Sequence, residues 1–198
     1  MYVAESEFTH DIARQQLAAR PAGAPGPRVA HVVPGLDPEI LGELSARHIL
    51  SELAARGREP GPDWALVLSA HGTLLEPPRP MNTGRLATEA IADAIERRLA
   101  PHFGRVQRAW LNHTVGGAWT TPPADVAVRD LVAAGYRCLV YFPYGFLADN
   151  AESQLEGRVI LAAQPGLADV EHLPCLNASP GLAGALAGAV RTALAAQR

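Results

Sequence analysis

Cysteine is scarce in this chain: two in 198 residues, Cys138 and Cys175. Two thiolates are too few for a protein-borne iron–sulfur cluster with the usual four, and no disulfide is expected between them. Cys138 lies in the apolar run CLVYF, where a buried thiol is expected; Cys175 sits in a proline-flanked turn. Long apolar runs are also missing. No stretch reaches the roughly 20 residues that span a bilayer, so no membrane span is expected. Nor is there a basic run, and the net charge is -3, which argues against a nucleic-acid partner. The opening residues MYVAESEFTH are polar and acidic, unlike a secretory signal, and the expected location is cytoplasmic. HExxH, CxxC, a glycine-rich phosphate loop and GxSxG are all absent, so the chemistries those motifs carry have nothing to rest on.

What the chain does have is core-forming material. Hydrophobic residues make up 48% and charged residues 19%, the balance of a globular chain with one main domain. Residues 1–27 read as an amphipathic helix over 5–19 followed by the linker PAGAPGP, and residues 28–198 as an α/β domain. Strands are expected at 28–33, 65–69, 106–111, 137–142 and 170–173. Helices are expected at 37–56, 86–99, 122–134, 149–163 and 181–196. RCLVYF is continuously apolar rather than alternating, as buried parallel strands are. The alternation predicts an open parallel sheet with helices on both faces, a three-layer Rossmann-type α/β fold. Right-handed crossovers then gather the loops 70–84, 112–121, 143–148 and 174–179 on one edge. Those loops hold nearly all the unusual residues, which predicts a functional cleft there.

The stretch WALVLSAHGTLLEPPRPMNTGR delivers His71 to that edge. An imidazole at a strand end serves as a base or a metal ligand, or it hydrogen-bonds loop backbone. Gly72 would leave room above it. In GFLADNAE, Asp149 is expected to cap a helix, with Glu152 three residues on as a capping-box partner and Glu156 one turn further along the same face. His71 and Glu152 facing each other across the cleft would make a sparse divalent-metal site, suited to transient metal handling rather than to a four-ligand structural zinc. His113 is a weaker third ligand candidate on the same edge. Trp119, Phe142, Tyr144 and Phe146 line a flat apolar pocket or belong to the core. His10, His31, His48, His102 and His172 read as structural or surface residues.

Four motifs in order then resemble the second half of ferrochelatases, enzymes that insert ferrous iron into a porphyrin: SAHG at 69–72, VGGAW at 115–119, PYGFLADNAE at 143–152 and LPCLNASP at 173–180. The resemblance covers roughly residues 28–198. It implies the chelatase α/β fold, His71 and Glu152 as catalytic residues, and His71, Glu152 and Glu156 as metal-handling residues. Ser69, Gly72, His113, Trp119, Tyr144 and Phe146, on the same edge, are expected as substrate contacts. No tightly bound cofactor is implied; the divalent metal, Fe2+, is substrate or ligand, and the other partner is a tetrapyrrole or another small molecule. The family's Asp-His-x-Glu reads Asp149-Asn150-Ala151-Glu152 here, the acid position beyond Glu156 is Ile160, and most of the family's first half has no counterpart. A homodimer, or a partner supplying that half, would rebuild the cleft. The alternatives are a divergent metal-dependent enzyme acting on another small molecule and a non-catalytic metal- or haem-binding module. An open cleft with His71 and Glu152 on opposite walls is expected of a chelatase, and a cleft closed by the loop 74–80 of the alternatives.

Overall fold

The computed structural model describes residues 6–21, 35–77, 79–112 and 116–196. Four strands, β1 (Trp64–His71), β2 (Arg105–Leu111), β3 (Cys138–Phe142) and β4 (Asp169–His172), form one parallel sheet in the order β2-β1-β3-β4. Between and beyond them run α1 (Ile12–Ala18), α2 (Pro38–Ala55), α3 (Arg85–Leu99), α4 (Ala124–Ala133), α5 (Gly157–Ala162) and α6 (Pro180–Ala195). The helix expected over 5–19 is a π turn, Glu7–Asp11, continuing into α1. The strand expected over 28–33 lies outside the described residues.

β1 is buried on both faces from Ala65 to Ala70. Its side chains alternate between two cores, as strand geometry requires. Leu66, Leu68 and Ala70 pack with Leu41, Ile49 and Leu53 of α2, Ile91 and Ile95 of α3 and Leu182 of α6. Ala65 and Val67 pack with Ala127, Val128 and Leu131 of α4 and Leu161 of α5. The sheet is therefore covered on both sides. α2 starts where expected: the Asp37 carboxylate accepts the Glu39 N–H at 2.7 Å, Pro38 occupies the first turn, and Gly57, with φ +67°, follows the end. Gly42 of α2 meets Ala94 of α3, and a Cβ there would overlap the alanine side chain.

The strand order fixes where a ligand would sit. From β1 the chain moves outward to β2, then crosses to β3 on the other side of β1. Loops leaving β1 and β3 at their carboxyl ends diverge toward opposite faces, and the gap between them is the crevice where open α/β sheets bind ligands. His71 ends β1 at this point, and the segment leading to Glu152 leaves β3 beside it. No helix among the described residues is long and apolar enough to cross a membrane.

Candidate active site

His71 is the first residue of β1 to emerge from the core; its ladder partner on β2 is Leu111, and the Gly72 N–H donates to the Leu111 carbonyl at 2.7 Å. Its Nδ1 lies 2.6 Å from the Gly72 carbonyl oxygen. A carbonyl can only accept, so the ring donates its Nδ1–H to it and turns Nε2 toward Glu152. That Nε2 lies 3.8 Å from Oε2 of Glu152. An imidazole nitrogen and a carboxylate oxygen at this separation suit a positive species between them, a proton or a cation. Two metal–ligand bonds of roughly 2.0–2.2 Å span up to about 4 Å, so the gap admits a divalent ion at a wide angle. Glu152 stands beside His71, not across a wide cleft from it.

Glu152 opens a five-residue π turn, Glu152–Glu156, that runs into α5. Such i→i+5 turns recur at functional sites. The cap beneath it differs from the expected one. The Ser153 N–H donates to Asn150 Oδ1 at 3.0 Å and the Asn150 N–H to Ser153 Oγ at 2.9 Å. The reciprocal pair is thus Asn150–Ser153 rather than Asp149–Glu152. Asn150→Ala is expected to cost about 1 kcal/mol, a fall in Tm of about 2–4 °C by calorimetry. Among the described residues no three His, Cys, Asp or Glu side chains form a metal-holding group; Glu156 is not brought into a shared set with His71 and Glu152.

In front of His71 is a cavity of about 430 Å³, walled by Ala70, His71, Gly72, Leu74, Pro77, Met81, Thr88, Trp119 and Gly145 among others, with Ser6 from the N-terminal segment. This is the size and mainly apolar character of a small-molecule site. The loop 74–80 supplies one wall and is fastened to the 116–120 turn. The Leu75 N–H donates to the Ala118 carbonyl at 2.8 Å, and the Thr120 N–H to the Thr73 carbonyl at 3.0 Å. Gly117 permits this approach: its φ is +80°, and a Cβ there would lie 2.8 Å from Leu74 Cδ2. Trp119 is held over the cavity by its Nε1–H, which donates to the Gly116 carbonyl at 2.8 Å.

A family model described as Ferrochelatase matches residues 1–194. This chain belongs to the ferrochelatase family. The bovine mitochondrial ferrochelatase is 24% identical over 161 residues, covering 78% of this chain and 38% of that protein. The ferrochelatase of Thermosynechococcus vestitus is 29% identical over 150 residues, covering 70% and 37%. The chain thus spans under two-fifths of the length of the curated ferrochelatases it matches. Among solved structures, CbiX, titled the terminal enzyme for biosynthesis of siroheme in denitrifying bacteria, superposes with a TM-score of 0.65 at 22% identity, over 97% of this chain and 73% of that one. At that identity the likeness is one of fold.

Within this ferrochelatase-family domain, the residues expected to touch substrate fall into three groups. Gly72 and Trp119 line the cavity. Ser69, Tyr144 and Phe146 do not: Ser69 is fully buried behind His71, Tyr144 packs with Phe142 in the core shared with α2 and α3, and Phe146 packs in the core under α4. The cause is a backbone contact. Gly145 lies directly against Ala70, and its N–H donates to the Ser69 carbonyl at 3.2 Å. The loop therefore folds back onto β1, and the aromatics on either side turn inward. His113 lies outside the described residues. Gly72 does not leave open room either, because Asn112 fills the space a Cβ would take, its amide donating to the Thr120 carbonyl at 3.0 Å. Met81, Thr83 and Thr88 line the cavity without having been legible, since nothing in their spacing marks them.

Asp149 ties this edge to the next loop. Its Oδ1 accepts the Cys175 N–H at 2.7 Å and its Oδ2 the Asn177 amide at 2.9 Å, while Asn177 Oδ1 accepts the Asp149 N–H at 2.8 Å. Burial raises this carboxyl's pKa, but the Cys175 and Asn177 donors outweigh burial and hold it below the usual range. Both cysteines are free: Cys138, expected to be buried, is only partly so at the start of β3, and Cys175, anchored by Asp149, is fully buried.

His172 at the end of β4 is a buried residue, not a surface one. It stacks on Tyr141 at 5.2 Å between centroids and abuts Gly157 where the π turn enters α5. Both ring nitrogens and the Tyr141 and Ser69 hydroxyls are buried without a protein hydrogen-bond partner, the kind of polar group that ordered water satisfies. Burial first, then the Arg158 charge, pushes the imidazole down to about 4. The unfolded chain binds a proton near pH 6.5 that the folded chain refuses until about pH 4. The penalty is absent above pH 7 and grows as pH falls between these values. From pH 7 to pH 5 stability should drop by about 2 kcal/mol from this group. His172→Phe, which keeps the stack, should flatten the Tm-versus-pH curve in that window.

Proposed function

We propose that this chain is a metal chelatase that inserts a divalent metal, ferrous iron in the cell, into a porphyrin as the metal-insertion step of haem biosynthesis. The observation that carries the reading is the pair His71 Nε2 and Glu152 Oε2, 3.8 Å apart, in which His71 lines the apolar cavity and the Glu152 oxygen is buried beside it. A free-base macrocycle has two N–H protons and four nitrogens. As M2+ enters, both protons leave and four metal–nitrogen bonds form. Once the ion has passed to the ring nitrogens, His71 Nε2 accepts one proton, releases it to solvent and then takes the second; the Glu152 carboxylate balances the charge of the arriving metal, whose own field lowers the N–H pKa values. Two protein ligands bind a cation weakly, which suits an ion handed on rather than kept. A homodimer and a cytoplasmic location, both expected from the sequence, belong to this proposal.

The test is an anaerobic absorbance assay. Protein is mixed with Fe2+ or Zn2+ and a free-base porphyrin bearing propionates, for wild type and for Glu152→Gln. Wild type should convert the spectrum to that of the metalloporphyrin, and Glu152→Gln should do so about 10²-fold more slowly. A wild-type spectrum that shifts on mixing but never converts would replace this reading with a binding module. A partly reduced tetrapyrrole converted in preference to porphyrin would move the substrate toward the siroheme type, the alternative that the CbiX fold favours.

A further inference from the structure

We propose that Arg85 is a carboxylate-recognition residue: it receives a peripheral carboxylate of the macrocycle whose ring occupies the cavity before His71. This deepens the chelatase reading and rests on it. A second cavity of about 320 Å³ adjoins the first and shares Leu74, Pro77, Met81 and Thr83 with it, so the two are chambers of one cleft. The inner chamber has no arginine or lysine on its wall among the described residues. The outer chamber has one, Arg85, flanked by Leu75 and Leu86, which are 44% and 72% exposed. A mixed shelf, with leucines beside Asn82, Thr83 and a single fixed cation, suits the rim of a tetrapyrrole, where hydrocarbon substituents alternate with carboxylates.

The chain contains no lysine; all 17 of its basic residues are arginine. Anion binding here therefore relies on guanidinium, whose planar fork matches a carboxylate bidentately. Arg85 is already oriented for it. Its Nη1 donates to Glu89 Oε1 at 3.0 Å, one helical turn along α3, and Glu89 is its hydrogen-bonding partner among the described residues. A guanidinium has five N–H donors, which leaves a second edge for a ligand. The net charge of -3 would repel a polyanionic substrate, so one well-placed cation at the mouth has a large effect on which macrocycles bind.

The experiment compares wild type, Arg85→Gln and Arg85→Lys against a free-base porphyrin carrying two propionates and against its dimethyl ester, both in the same detergent. Fluorescence quenching gives Kd, and the absorbance assay gives kcat and KM. Arg85→Gln should raise Kd and KM for the diacid at least ten-fold with kcat within two- to three-fold. It should leave the ester unchanged, and Arg85→Lys should recover only part of the loss. An unchanged Kd for the diacid in Arg85→Gln overturns the proposal, as does an equal loss for acid and ester. Arg85-dependent diacid binding without turnover in wild type would sink the chelatase reading and leave this one standing. Turnover that ignores Arg85 would do the reverse.

Discussion

Replacing His71 by alanine is expected to slow metal insertion by about 10²–10⁴-fold while lowering Tm by no more than about 4 °C. The rate loss is the usual contribution of a positioned base. Here the Nδ1 contact with the Gly72 carbonyl holds the ring with Nε2 toward Glu152, so no other rotamer has to be selected during reaction. The small stability change follows from position. The His71 side chain is 29% exposed and lies at the end of β1, beyond the continuous burial of Ala65–Ala70. A hydrogen bond at such a site contributes about 1 kcal/mol, which in a chain of this length is about 2–4 °C. A Tm loss of 10 °C or more in His71→Ala would make the residue structural, and any activity loss would then reflect folding.

The second large effect is expected at Gly145, which lines the cavity but carries no reacting group. A Cβ built there lies 2.5 Å from Ala70 Cβ, 2.6 Å from Ala70 Cα and 3.3 Å from the His71 nitrogen. Backbone cannot yield as a flexible side chain can, so Gly145→Ala must push the loop after β3 away from β1. Overpacking of this kind costs about 1–3 kcal/mol, or about 3–10 °C in Tm. The same loop leads to Glu152, and a displacement of about 1 Å between reacting groups can cost about 10² in rate. Gly145→Ala should thus lose both stability and rate. Ala70→Gly in the same chain should recover part of each, because it removes the nearer of the clashing atoms; contacting sites are where such non-additivity occurs. Gly145→Ala with wild-type Tm and rate would mean that the β1–β3 edge adapts freely, and the rigid His71–Glu152 geometry would lose its basis.

Much of this was legible because buried parallel strands leave an unmistakable trace. LVLSA and CLVYF are apolar without alternation, and the sheet does bury both faces of β1 and β3. Once the strands were ordered, the handedness of crossovers placed His71 and the Glu152 segment on one edge, which is where they are found. Legibility failed where a contact between distant segments decided the outcome. Nothing local says that Gly145 will rest on Ala70, yet that contact sends Tyr144 and Phe146 into the two cores and away from the cavity. Gly72 was expected to open space, whereas Asn112, 40 positions later, fills it. The cap expected at Asp149 forms one residue on, at Asn150, which leaves Asp149 to hold Cys175 and Asn177 instead. Cys138 reads as a buried thiol from its apolar neighbours, but its place at the start of β3 leaves it partly exposed.

The measurement that tests the central claim most directly is chemical rescue. Wild type and His71→Ala are run side by side in anaerobic single turnovers, with protein in excess over free-base porphyrin, Fe2+ as the metal, and imidazole added in steps. Wild type should convert the porphyrin completely; His71→Ala should be nearly inert alone and regain a substantial part of the rate as imidazole enters the space the side chain vacated. Equal rates in both proteins without imidazole, or no conversion by wild type at all, would contradict the assignment of His71 as the base that clears the macrocycle for the metal.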